Sequence, residues 1–150
     1  MVQKIFDTFL RKDGRLNRWR YFKRVFSIGL VFSLLMTLAD NFFSDSAGNI
    51  SSFSSLGGYL IAFLILCTAY AYVVYCLDVR RLHDLGKSNT LALVRFALNV
   101  IAIPVVIFES LFQYDTLSNI LLVVGVLIGL YLIFKRGTVG ANQYGEDPLT

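Results

Sequence analysis

The sequence predicts an all-α integral membrane protein, a four-helix bundle that forms one membrane domain over residues 1–150. Hydrophobic residues make up 56% of the chain and charged residues only 16%, whereas soluble domains average about 25% charged residues. The apolar residues form four long runs separated by polar segments. Helices are the expected form, because isolated strands would leave backbone polar groups unpaired in lipid.

The lengths of the runs set the predicted spans. A bilayer core of about 30 Å needs about 20 helical residues. We place an interfacial segment at 1–20, spans at about 22–43, 57–77, 89–108 and 117–134, and a tail at 135–150. The first run resembles a signal peptide, but its basic leader is long and three further runs follow, so we expect it to remain uncleaved.

The distribution of basic residues predicts the orientation. Of the 14 lysine and arginine residues, all except Arg95 fall before the first run, between the second and third, or after the fourth. The other two connections carry only acidic charges. The positive-inside rule therefore predicts a multi-pass protein with the basic side and both termini in the cytoplasm.

Short segments outside the spans also carry helical signals. Val2, Ile5, Phe6, Phe9 and Leu10 share one helical face, which predicts a short amphipathic helix in the cytoplasmic interface. A disordered leader is the alternative.

The second helix should continue about two turns beyond its span, because leucines there keep the helical spacing. Gly86 then predicts a helix C-cap. Along this helix we expect an ion pair between Asp78 and Arg81, three residues apart. A second pair should join Arg80 to Asp84, four residues apart.

Three motifs resemble those of one protein family. They are residues 14–22 (GRLNRWRYF), 80–88 (RRLHDLGKS) and 137–148 (GTVGANQYGEDP). In order and separation they are similar to the motifs of the family catalogued as domain of unknown function 805, small bacterial inner-membrane proteins. The resemblance covers nearly the whole chain. It implies four helices and a bacterial inner (plasma) membrane, and it supplies no activity.

The predicted topology brings polar residues of all three motifs to one cytoplasmic surface: Arg15, Arg18, Arg80, Arg81, His83, Asp84, Asn142 and Asp147. We expect the tail to fold back so that Asp84 and Asp147 neutralise some of the arginines, whose guanidinium groups bind carboxylate or phosphate in a bidentate way. The surplus arginine would leave room for an anionic lipid head group. The alternative is a salt-bridge cluster that ties the loops together and binds no ligand.

The sequence contains few residues or motifs that would indicate an enzyme. His83 is the only histidine, and no nucleophile motif lies near it, so a structural role is the stronger interpretation. A metal site needs three or four ligands, and no phosphate-binding glycine motif is present. We expect no catalytic residue, metal or cofactor.

We also expect no nucleic-acid partner, since the basic residues set topology and contact membrane lipids.

Within the spans, Arg95 lies about 7.5 Å past the start of its helix at 1.5 Å per residue. Asn99 lies one turn further along the same face. This polar stripe marks a substrate path or, as we prefer, holds helices together. Gly125 and Gly129 form a G-x-x-x-G motif that permits close helix packing or a homo-oligomer.

These observations favour a non-enzymatic accessory or scaffold protein whose basic cytoplasmic face binds a partner protein or anionic lipid. Two alternatives stay open. One is a small transporter or channel subunit that uses Arg95 and Asn99. The other is a lipid-acting membrane enzyme that uses His83 and Asp84.

Overall fold

The computed structural model describes residues 2–44, 53–112 and 116–149, and these contain five α-helices. The helices are α1 (Val2–Phe9), α2 (Arg18–Phe43), α3 (Phe53–Asp84), α4 (Thr90–Phe112) and α5 (Thr116–Phe134). Four of them, α2 to α5, are long and apolar enough to cross a membrane. The predictions of an all-α protein and of four membrane-length helices are therefore confirmed.

The four long helices run in alternating directions. The segment before α2 lies beside the end of α3, where the N–H of Leu16 donates to the carbonyl of Arg80 at 3.0 Å. At the opposite end, Glu109 near the end of α4 accepts the N–H of Leu117 at the start of α5 at 2.7 Å. Contacts between α2 and α5 complete the bundle. The sequence segments before α2, between α3 and α4, and after α5 therefore meet at one end.

This end, which we call the basic end, comprises residues 10–24, 77–92 and 131–149. It holds the buried apolar core, formed by Leu16, Tyr21, Leu77, Val79, Leu82, Leu85, Ala92 and Leu132. Toward the opposite end, large apolar side chains on all four long helices are exposed. Apolar surface costs about 25 cal/mol per Å² in water, so these exposed faces suit contact with lipid.

Local signals fix two helix ends at the basic end. The Asn17 side chain caps α2 by accepting the backbone N–H three residues on at 2.8 Å. After α3, Gly86 has a φ of +66°, its N–H donates to the His83 carbonyl, and the N–H of Lys87 donates to the Leu82 carbonyl. These two backbone hydrogen bonds form a Schellman motif, which favours glycine at the position with left-handed backbone angles. The predicted C-cap at Gly86 is confirmed.

Arginines of the long helices hold the end of α1. Arg24 donates to the Thr8 carbonyl at 3.0 Å. Arg80 donates to the carbonyls of Asp7 and Thr8 at 3.2 and 3.3 Å. Cationic donors at the last carbonyls of a helix are favourable, because those carbonyls have no partner within the helix. The position of α1 in a membrane interface and the cytoplasmic location of both termini stay predictions.

Candidate functional site

A single buried carboxylate joins the three polar segments of the basic end. Oδ1 of Asp84 accepts Nε of Arg15 at 3.2 Å, and Nη2 of Arg15 lies 3.1 Å away. Oδ2 accepts Nη1 of Arg81. The exposed fractions are 8% for Arg15, 0% for Arg81 and 2% for Asp84. Removing one partner from such a buried group costs about 3–5 kcal/mol, so these three residues depend on one another.

Arg15 also binds the tail, which folds back over the basic end. Its Nη1 donates to the carbonyl of Gly140 at 2.5 Å and its Nη2 to that of Thr138 at 2.5 Å. The N–H of Thr138 in turn donates to the Asp84 carbonyl at 2.8 Å. A Cβ at Gly137 would overlap the Asp84 carboxylate. Glycine at this position therefore lets the tail approach the buried ion pair.

Arg81 links α3 to two other parts of the chain. Its Nε donates to the carbonyl of Leu132 at 2.8 Å, and its Nη2 donates to that of Lys135. Its Nη1 donates to the carbonyl of Leu16 at 3.3 Å. These acceptors lie at the end of α5 and just before α2. One guanidinium therefore holds α3 to the end of α5 and to the segment before α2.

His83 lies between two loops and the tail. Its Nδ1 is 3.3 Å from the carbonyl oxygen of Gly14, and its Nε2 is 2.8 Å from Oδ1 of Asn89. The ring stacks on Tyr144 at 3.9 Å between centroids. The side chain of Asn142 donates to the His83 carbonyl at 2.9 Å. Both ring nitrogens and one ring face therefore have partners within the chain.

Asp147 shapes the tail itself. Its carboxylate accepts the backbone N–H groups of Leu149 and Gly140, each at 3.0 Å. These hydrogen bonds hold the pKa of the Asp147 carboxyl below its usual range, and the bond from Leu149 has the larger effect, ahead of the bond from Gly140. The pKa falls because hydrogen bonds to a carboxylate favour its charged form.

Two predicted ion pairs along α3 are wrong. Arg80 does not pair with Asp84, because it reaches the end of α1 while Arg15 and Arg81 take the Asp84 carboxylate. Arg81 does not pair with Asp78, whose partners are on other helices. Spacing along one helix permitted both ion pairs, but these side chains bind residues of other elements instead.

A cleft of about 290 Å³ lies between the start of α2 and the tail. Arg18 and Arg136 line it, and both are exposed. Neither makes a hydrogen bond or an ion pair within residues 2–44, 53–112 and 116–149. Asp84 and Asp147 also line the cleft, but their oxygens already accept the bonds described above. The cleft therefore presents two arginines without a carboxylate partner.

A second polar cluster lies deeper in the bundle. Nη1 of Arg95 donates to Oδ1 and Oδ2 of Asp78 at 3.0 and 3.1 Å. The Tyr21 hydroxyl donates to Oδ1 of Asp78 at 2.7 Å and accepts from Arg95 at 3.2 Å. The cluster joins α2, α3 and α4. Asn99 instead donates to the carbonyl of Arg95 on its own helix at 2.9 Å.

Sequence reasoning missed Asp78 and Tyr21 as members of this cluster. A signal was present: Asp78 lies six residues before the end of α3, and Arg95 lies five residues after the start of α4. At 1.5 Å per residue the two reach similar depths, about 9 and 7.5 Å from the same end. A charged side chain at such depth usually has a partner, and Asp78 is the carboxylate at the matching level.

The glycines of the G-x-x-x-G motif have different surroundings. A Cβ on Gly129 would lie 2.9 Å from Nη2 of Arg95, whereas a Cβ on Gly125 would meet nothing within 4 Å. Gly129 thus allows Arg95 to lie against α5 inside the chain. Self-association through Gly125 and Gly129 stays a prediction.

The family model described as "Protein of unknown function (DUF805)" matches residues 9–146. The chain belongs to this family. The matched range holds the first two motifs, the third motif up to Glu146, and the deeper cluster, so the resemblance predicted from the sequence is confirmed. No curated protein and no solved structure matches this DUF805 protein.

The contact between Gly129 and Arg95 gives a paired test in this DUF805 protein. Gly129→Ala should displace a guanidinium that Asp78 and Tyr21 hold, and should lower the free energy of unfolding by about 1–3 kcal/mol. Gly125→Ala should be neutral or stabilising by up to about 1 kcal/mol, because alanine is the better helix former. Denaturant titration in detergent measures both, and equal effects of the two substitutions would contradict the contact.

Proposed function

We propose that this DUF805 protein is a non-enzymatic accessory or scaffold protein of the bacterial inner membrane whose basic end faces the cytoplasm and binds anionic lipid head groups. One observation carries the proposal. Arg18 and Arg136 line an open cleft, while the carboxylates beside them are bound by other groups. An anion in the cleft would supply the partner that the two guanidinium groups lack.

The distribution of charge supports the proposed orientation. Exposed basic residues gather at the basic end: Arg11, Lys12, Arg18, Arg20, Lys23, Lys87, Lys135 and Arg136. The sequence has no lysine or arginine between α2 and α3, at 44–52, or between α4 and α5, at 113–115. This asymmetry is the positive-inside pattern. The cytoplasmic leaflet is the anionic one, and each lysine or arginine near it contributes about 1 kcal/mol of attraction.

The cleft also lies at a suitable level for head groups. Arg18 opens α2, and Arg136 lies two residues after the last residue of α5. Their neighbours Trp19 and Phe134 are exposed aromatic residues, the kind that collects where a membrane meets water. An arginine fork at this level can bind a phosphate oxygen pair in a bidentate way.

The contacts of the other predicted residues support a structural role for them. Arg15 and Arg81 both bind Asp84, and Arg15 also binds the tail. His83 is held by loop atoms and stacked on Tyr144, which favours a structural histidine over a catalytic one. The proposed lipid contact therefore rests on Arg18 and Arg136 alone, and the cluster behind them acts as their scaffold.

A charge-matched pair of double variants tests lipid binding. Arg18→Gln with Arg136→Gln should weaken binding of phosphatidylglycerol by about 30-fold, since two charges contribute about 2 kcal/mol. Arg20→Gln with Lys23→Gln removes the same charge from the same end but outside the cleft, and should keep the preference for phosphatidylglycerol over phosphatidylcholine. Native mass spectrometry in detergent measures bound lipid. An unchanged preference in the cleft variant would contradict the proposal.

The proposed orientation has a separate test. A green fluorescent protein fused after Thr150 should fluoresce, and alkaline phosphatase fused at the same site should be inactive, because that enzyme needs disulfides that form outside the cytoplasm. The reverse pair of results would place the basic end on the opposite side. It would also remove the cytoplasmic leaflet as the source of the lipid.

A further inference from the structure

Two adjoining cavities lie between the helices, beyond the Tyr21–Asp78–Arg95 cluster as seen from the basic end. The first, of about 420 Å³, lies between α3, α4 and α5. Arg95 lines it toward the basic end, and Ser118 and Asn119 line it toward the opposite end. The second, of about 380 Å³, reaches α2 and is almost wholly apolar. The two share the lining residues Tyr70, Asn99, Ala102, Val106 and Leu122.

Arg95 offers this space hydrogen-bond donors that the protein does not use. All of its bonds to Asp78 and Tyr21 come from Nη1. Nε is buried without a partner, and Nη2, which lies against Gly129, makes no hydrogen bond to any residue that the structure describes. Burial without an acceptor is unfavourable for Nε. Nη2 belongs to a side chain that lines the first cavity, and it is the donor available to an acceptor there.

The charges around Arg95 indicate what kind of acceptor fits. Asp78 already balances the charge of Arg95, and the described residues that line the two cavities include no other cation. A carboxylate or phosphate in the cavity would therefore lie near the Asp78 carboxylate without a positive charge of its own. A neutral oxygen can accept a bond from Arg95 without that repulsion.

The rest of the lining indicates an apolar body for the same molecule. Beyond Arg95, the polar groups of the first cavity are the side chains of Asn99, Ser118, Asn119 and the Tyr70 hydroxyl, and the remaining lining is apolar. A mostly apolar space of this size with a few placed polar groups is typical of a site for a small molecule.

We propose that these cavities bind an uncharged, lipid-soluble molecule that carries a carbonyl oxygen, such as a long-chain ketone, an ester or a quinone. Nη2 of Arg95 donates to the carbonyl, and the apolar chain lies between the helices toward α2. Gly125 lines the cavity and keeps it open by lacking a side chain. This site is separate from the cleft between Arg18 and Arg136, and it does not depend on the lipid proposal.

The test uses a long-chain methyl ketone that carries a photoreactive diazirine at the end of its chain. With the protein in nanodiscs, illumination should attach the end of the probe chain to peptides of α2, α3 and α4, which line the second cavity, as read by mass spectrometry. Excess 2-undecanone should compete. Undecane, which has no acceptor, should compete about tenfold less well, the ratio that one hydrogen bond to a charged donor gives. Undecanoate, whose charge the Asp78 carboxylate repels, should also compete less well than the ketone.

Three variants localise the site. Gly125→Leu fills the cavity and should reduce labelling by about tenfold, whereas Gly29→Leu is the matched control, because a Cβ there also meets nothing within 4 Å and Gly29 lines neither cavity. Arg95→Lys keeps a cation for Asp78 but lacks Nη2, and should remove the advantage of the ketone over the alkane. Labelling that persists in Gly125→Leu, equal competition by undecane, or better competition by undecanoate would each overturn the proposal.

Discussion

The Asp84 carboxylate between Arg15 and Arg81 is the contact on which the basic end depends. It joins the segment before α2, the end of α3 and, through Arg15 and Thr138, the tail. A buried charge is very costly unless it is paired and hydrogen-bonded. Once Asp84 is buried, both arginines must therefore take these positions, and their remaining N–H groups fix the carbonyls around them. The placement of Arg18 and Arg136 at the cleft follows from this arrangement.

The rest of the bundle is held differently, because lipid provides no hydrophobic force between helices. Beyond the deeper cluster of Tyr21, Asp78 and Arg95, the helices expose apolar faces and leave cavities between them. Specific polar contacts are thus concentrated in one half of the bundle. That division gives a closed basic end, which suits the head-group binding that we propose at the membrane surface, and an open half, which suits the apolar molecule that we propose between the helices.

The sequence predicted the features that depend on local pattern. The lengths of the apolar runs predicted the four membrane-length helices, and the preference for glycine after a helix end predicted the C-cap at Gly86. It could not predict the pairing of charges, because spacing along one helix favoured Asp78–Arg81 and Arg80–Asp84 while the partners came from other elements. The Gly129–Arg95 contact was also out of reach, since it depends on how α4 and α5 pack. Asp78 was identifiable only by comparing depths on two helices.

A double-mutant cycle on Arg15 and Asp84 tests the central contact most directly. The free energy of unfolding in detergent would be measured for Arg15→Gln, for Asp84→Asn and for the two together. If the pair carries the basic end, each single substitution should cost about 3–5 kcal/mol, and the double variant should be more stable than the sum of the two losses by about 1–3 kcal/mol. Losses that add to within about 0.5 kcal/mol would show that the two residues act independently and would contradict this account.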